Sequence, residues 1–370
     1  MSNNRYSFWN VFVIATSMTM AVISSCSKND NIKEPLPIEY DVYVAGYEVF
    51  DYNNTAMLWK NGLPLYKLNN FSMFYSVVVS NNNIFVAGIE SNGSNNVVNI
   101  WKNGQTLYTL TDKPLQSWSV AVSGNDVYVT GNEYDETEIN KIVSTGKVWK
   151  NGQVLYTFSD KQQSTNAASI AVSDNDVYVA GSENGIAKLW KNGQVFYTLS
   201  DEQNYSSAIS VAISGNDIYV AGNENVGYET IGLNNAVKVW KNGQLLYKLA
   251  NSYGSQYTYA SSMFVSGNDV YVVGDEMIES YSVRKIWKNG QILYDQPDFP
   301  YLTLTHSSSA DAVYVMDNEV FVAGSECKGV NGQRVVMLWK DGVSQYNNGY
   351  GLTDGKNHAY ARSVFVAPRF

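Results

Sequence analysis

The tetrapeptide Trp-Lys-Asn-Gly, with Asp for Asn in the last copy, begins at Trp59, Trp101, Trp149, Trp190, Trp240, Trp287 and Trp339. Each copy is preceded by a second short element: Val42-Tyr43-Val44, Ile84-Phe85-Val86, Val127-Tyr128-Val129, Val177-Tyr178-Val179, Ile218-Tyr219-Val220, Val270-Tyr271-Val272 and Val320-Phe321-Val322. A glycine follows two residues after each triplet. The period, from about 41 to about 52 residues, is that of one four-stranded propeller blade, a unit that buries its faces only by stacking on its neighbours. No stretch carries a useful helical period, so the chain reads as all-β, a seven-bladed β-propeller of four-stranded antiparallel blades.

One unit shows the four strands. Ser169 to Ser173 is a small-residue strand A, turned by Asp174-Asn175, and Asp176 to Ala180 is a β-branched and aromatic strand B. Ala187 to Lys191 is strand C, Asn192-Gly193 is a hairpin signal, and Gln194 to Leu199 is strand D. The ring starts at strand B, near Asp41, and stops after Ser363-Val364-Phe365-Val366, a strand A with nothing behind it. The last blade is therefore expected to combine the C-terminal strand A with the N-terminal strands B, C and D, hiding two exposed edges.

The segments Gly124 to Gly131 and their counterparts resemble the bacterial propeller repeat of the SBBP type over about eight residues of each blade. That resemblance implies the fold and an extracellular setting, with no activity attached. Ahead of the ring, Arg5, the apolar run Val11 to Ile23 and Ile23-Ser24-Ser25-Cys26 resemble a lipoprotein signal peptide with its lipobox. The expected division is 1–25 signal peptide, 26–40 lipidated Cys26 and polar tether, and 41–370 propeller. Acyl chains on Cys26 would anchor the protein. Ser27 in place of an aspartate directs the expectation to the bacterial outer membrane, and Cys26-Ser27-Lys28-Asn29-Asp30 is similar to surface-export tags.

The chain carries a net charge of −9, which becomes about −10 when Arg5 is removed, and disfavours nucleic acid or an anionic bilayer as a partner. Membrane contact is expected through the lipid alone, and the ring is expected to be a monomer. Cys327 is the only other cysteine, so no intrachain disulfide is available once Cys26 is acylated. No nucleophile elbow, zinc-binding helix motif or phosphate loop occurs, and no cofactor is called for.

Function is expected on one face. The A–B and C–D turns are short and uniform, whereas the B–C and D–A loops vary, for example 132–146, 223–235, 251–260, 295–309 and 347–360. Three aromatic positions per blade are explained by packing. The surplus, including Phe71, Phe74, Tyr75, Trp118, Tyr205, Tyr253, Tyr257, Tyr259, Phe299, Tyr301, Tyr350 and Tyr360, falls in or beside D–A loops.

A glutamate two residues beyond each strand B glycine recurs as Glu48, Glu90, Glu133, Glu183, Glu224, Glu276 and Glu326. Its regularity suggests service to the repeat, with strand A serines or loop amides as partners and a ring-shaped cation site as the alternative. At the top of strand A the blades carry Tyr75, Trp118, Ala168, Ile209 and Ser261, but then Asp311 and Arg362. This charged irregularity is either a salt bridge at the last junction or an anchor for a polar ligand. His306 and His358 flank it without metal-ligand spacing. The candidate binding residues are therefore Tyr75, Trp118, Asp311, Arg362, His306 and His358. The leading expectation is a binding module for a glycan or protein. A channel hydrolase or lyase and a structural subunit of an outer-membrane assembly are the alternatives.

Overall fold

The Asn-Gly pairs turn the chain as their chemistry requires. Asn192 and Gly193 have φ of 51° and 83°, both left-handed, as a type I′ hairpin turn demands. The Asn192 side chain accepts from the Val177 N–H at 2.8 Å and donates to Asp176 at 2.7 Å, pinning the turn to the start of strand B. Asn61, Asn103, Asn151, Asn242 and Asn289 repeat both bonds. Asp341 keeps only the acceptor bond, from Val320 at 2.9 Å. The lysine of the tetrapeptide lies over the strand B aromatic in all seven blades, as Lys191 does over Tyr178 at 5.3 Å. In six blades it also pairs with an acid at the start of strand B.

The computed structural model describes residues 40–369, apart from 70, 94, 114–117, 139–140, 159–162, 202–203, 226–234, 250–256, 279–280, 296–306, 329–331 and 347–350. They form seven four-stranded antiparallel sheets. Blades 1 to 6 span 73–111, 119–157, 165–198, 206–248, 257–295 and 308–344. Blade 7 joins Ala359–Pro368 as strand A to Tyr40–Phe50, Asn53–Lys60 and Leu63–Leu68 as B, C and D. Its A–B pairing runs from Tyr40 opposite Pro368 to Glu48 opposite Ala359, so the closure anticipated from the two ends is present.

The core lies between blades rather than within them. The tetrapeptide tryptophans are all buried, and the buried clusters mix adjacent blades, such as Trp59 and Val44 of blade 7 with Phe321 and Leu338 of blade 6. A bulge beside each of the first six tryptophans shifts strand D by one residue, setting Tyr197 opposite Leu189 and Val195 opposite Trp190. Because side chains alternate along a strand, that slip sends the tyrosine to the face of the next blade. There it covers the turn glycine: a Cβ on Gly243 would lie 2.6 Å from the Tyr197 ring. Tyr66, Tyr108, Tyr156, Tyr247, Tyr294 and Tyr346 meet Gly104, Gly152, Gly193, Gly290, Gly342 and Gly62 in the same way, completing the circle.

One segment read as a loop is strand. Residues 132–138 and 141–146 extend blade 2 as paired strands, within Asp126–Glu138 and Lys141–Lys150, with Glu133 opposite Thr145 and Asp135 opposite Val143. The β-branched run Ile142-Val143 gives the extra ladder its propensity.

Candidate functional site

Strand A of each blade faces the axis of the ring. In a regular strand, successive side chains leave by opposite faces. Here both members of consecutive pairs border one axial pocket of about 410 Å³: Tyr75-Ser76, Ala168-Ser169, Ile209-Ser210, Ser261-Ser262, Asp311-Ala312 and Arg362-Ser363. A β-bulge makes this possible. The A–B register slips between Phe74 and Ser76, Ala167 and Ser169, Ala208 and Ser210, Ala260 and Ser262, Ala310 and Ala312, and across Arg362 in blade 7. The extra residue stands outside the ladder and turns toward the axis. The positions singled out as departures from the repeat are these bulge residues, except Trp118, which precedes strand A of blade 2.

The serine after the bulge joins one blade to the next. Ser363 Oγ accepts from the Val77 N–H at 3.2 Å, Ser76 from Val120 at 3.2 Å, Ser169 from Val211 at 3.2 Å, Ser210 from Met263 at 3.3 Å and Ser262 from Val313 at 3.5 Å. The repeated glutamates take partners other than these hydroxyls, contrary to the sequence expectation. The glutamates find a second strand C lysine two residues before the tryptophan, on the neighbouring strand and one diagonal step away. Lys147 pairs with Glu133, Lys188 with Glu183 at 3.7 Å, Lys238 with Glu224 and Lys285 with Glu276 at 3.4 Å. Asn99 donates to Glu90 at 3.1 Å, and Lys328 pairs with Glu326 at 3.1 Å. Glu48 is half-buried and its carboxyl is pushed up by burial, then by Asp354. None of the seven lines the axial pocket.

Asp311 and Arg362 occupy the pocket wall on adjacent blades without closing into an ion pair. Burial raises the Asp311 carboxyl to about 6, while Arg362, a Ser309 hydroxyl donating at 3.0 Å and Arg334 pull the other way. The exposed Arg362 guanidinium lies 5.5 Å from the Tyr47 ring and donates to its hydroxyl at 3.4 Å. Tyr47 stacks on Tyr360 at 5.0 Å, His358 stacks beyond at 6.4 Å, and Arg334 lies 6.0 Å from Tyr360. His358 Nδ1 accepts from the Arg334 N–H at 3.1 Å, so this ring is committed to its loop. Tyr75 is half-buried, its hydroxyl raised by burial.

Trp118 borders the pocket but is only 3% exposed, with its ring against Gly131 and 5.3 Å from Trp149. Phe74, also counted among the surplus aromatics, is buried edge-on against Trp101 at 5.2 Å. Both fill space above a strand B glycine. His306, Cys26, Tyr253, Phe299, Tyr301 and Tyr350 lie outside the described residues.

Sequence reasoning passed over Asp275. The position after the strand B glycine reaches to the next blade: Asn132 accepts from the Ala167 N–H and donates to its carbonyl, and Asn223 does the same to Ala260. Asp275 accepts from Ala310 at 2.9 Å, and burial, then repulsion from Asp311, lifts its carboxyl to about 8. The signal was the asparagine at the equivalent place in two other blades. Among the described residues no group of three or more His, Cys, Asp or Glu side chains is placed to hold a metal ion.

No protein-family model matches the chain, and neither does any curated protein. Solved structures do. The β-propeller domain of the Trilobed protease from Pyrococcus furiosus, described as having an open velcro topology, aligns with a TM-score of 0.52 at 13% identity over 86% of this chain and 93% of that one. An acylaminoacyl peptidase from Pyrococcus horikoshii aligns with a TM-score of 0.50 at 12% identity over 85% of this chain, which spans 51% of the peptidase. At such identities the likeness is one of fold: the chain is a seven-bladed β-propeller.

Proposed function

We propose that this protein is a membrane-anchored extracytoplasmic binding module that recognises a glycan or protein partner on its variable-loop face, with the axial pocket as its reading site. One observation carries the proposal: the seven blades bring their non-repeating strand A residues to a single pocket, and two of these are opposite charges left unpaired with each other, Asp311 and Arg362. A buried site with a small number of placed polar groups fixes the orientation of a ligand. The chemistry suits a polar end group with an acid for Arg362 and a hydroxyl or amine for Asp311. The anchor is the lipid on Cys26, and the location that accompanies it is the bacterial outer membrane, facing the cell surface.

Full chain in detergent, probed on arrays of acidic glycans and of free-ended peptides, is expected to bind with an affinity that Arg362→Ala lowers at least tenfold. Unchanged binding by that variant overturns the site. Incorporation of labelled palmitate, lost in Cys26→Ser, tests the anchor. A second reading, acid–base chemistry in the channel, is favoured by two interacting carboxyls of separated acidity, Asp275 and Asp311. Turnover of the bound ligand that disappears in Asp311→Asn would select it.

A further inference from the structure

The B–C turn of blade 7 departs from the matching two-residue turn of blade 3. In blade 3 the same connection is Asn184-Gly185, with φ of 51° and 75°, and the glycine packs under the ring of Tyr205. In blade 7 it is Asp51-Tyr52, with φ of 45° and 65°. A bulky residue in the left-handed region is strained; Tyr346, at φ 66°, is held there by its packing on Gly62. Tyr52 is 99% exposed, so its ring gives the fold no packing in return.

Beside this turn lies an open cleft of about 710 Å³ between blades 7 and 1, distinct from the axial pocket. Phe71, 56% exposed and also left-handed at φ 48°, stands on the D–A side, and Phe50 lies at the foot of the turn with Lys67 over its ring at 4.6 Å. Asn53, Asn69, Asn92 and Asp51 also line it, the Asn92 Oδ1 accepting from the Asn95 N–H at 2.9 Å. Among the described residues no aliphatic side chain contributes to the lining.

We infer that this cleft is a binding subsite for a neutral oligosaccharide, with Phe71 of its lining and Tyr52, on the turn between the lining residues Asp51 and Asn53, as stacking rings. A sugar ring presents C–H groups on its faces and hydroxyls on its rim. The electron-rich faces of aromatic rings attract the first. Amides that both donate and accept, with a carboxylate that accepts, match the second. A protein hot spot would call for an enclosed apolar pocket, which this cleft lacks.

The test is isothermal titration of the full chain in detergent with cellohexaose, xylohexaose, mannohexaose and maltohexaose. At least one is expected to bind saturably, and Tyr52→Gly and Phe71→Ala are each expected to weaken it tenfold or more. Tyr52→Gly places the residue that the turn prefers, so its Tm is expected to equal or exceed that of the parent while binding falls. A role in the fold would move Tm down instead. Arg362→Ala is expected to leave sugar binding unchanged, which separates this subsite from the axial pocket. Absence of binding to all four sugars overturns the inference, as does undiminished binding by both cleft variants or a loss caused by Arg362→Ala alone.

Discussion

Tyr346, beyond the last strand of blade 6, lies against Gly62 of blade 7 so closely that a Cβ on the glycine would stand 2.6 Å from the Tyr346 Cδ1. This is the link by which a ring begun at strand B is joined around the outside. Gly62 also has φ of 81°, so a side chain there is opposed twice. Gly62→Ala is expected to cost about 2–4 kcal/mol, the left-handed term plus overpacking. Gly215→Ala, at φ 58° with open space around it, is expected to cost about 1 kcal/mol. Urea unfolding of the two variants side by side measures the difference.

Removal of residues 363–370 takes away most of strand A from blade 7, including Ser363, which accepts from Val77 of blade 1. The strand at Tyr40–Phe50 would then show an unpaired edge, an open template for association. The truncated chain is expected to self-associate and to lose its cooperative thermal transition. Light scattering and calorimetry check this, and a monomer of parental Tm would contradict closure by the C-terminal strand.

Asp275 holds a place that asparagine fills in blades 2 and 4, where the amide accepts from an N–H and donates to a carbonyl. Only the protonated carboxyl can do both. Its folded value of about 8 lies above the ordinary 3.8, so its contribution to stability is complete below about pH 3.8 and is lost as pH rises through 8. Asp311, raised to about 6, adds in the same direction. Asp275→Asn is expected to flatten this dependence and to exceed the parent at pH 9 by a few kcal/mol, on the order expected for a shift of this size. Denaturant midpoints at pH 5 and pH 9 decide it.

Asp341 takes the turn position where the other blades have asparagine and cannot donate as they do. Glu319, at the start of its strand B, pairs with Lys340 through Oε1 at 2.7 Å while its buried Oε2 has no hydrogen-bond partner. Asp341→Asn supplies an amide N–H beside that oxygen. It is expected to stabilise the protein by about 1 kcal/mol, measurable as a higher urea midpoint.

The blades and their closure were legible because turn chemistry and alternation act locally: Asn192-Gly193 dictates a hairpin wherever it occurs. The bulge was not, since Ala-Ala-Ser at 167–169 reads the same whether the strand runs straight or slips by one. Without the slip, Asp311 and Arg362 could be placed near the axis but not assigned to one wall. The partner of the repeated glutamates was written in the spacing of Lys188 and Trp190. Attention to the tetrapeptide lysine at the far end of the strand hid it. Trp118 shows a different limit: an aromatic beside a loop and an aromatic over a glycine have the same local sequence, and only the packing of Gly131 and Trp149 tells them apart.

The bulge residue stands outside the A–B ladder, though Tyr75 and Ile209 still pack against the cores between blades. Replacing Ser261, Asp311 or Arg362, which belong to none of those cores, therefore leaves the ladder untouched while altering what the pore mouth presents. Ser261, Asp311 and Arg362 behave as tumblers in one lock, each exchangeable without recutting the barrel that holds it.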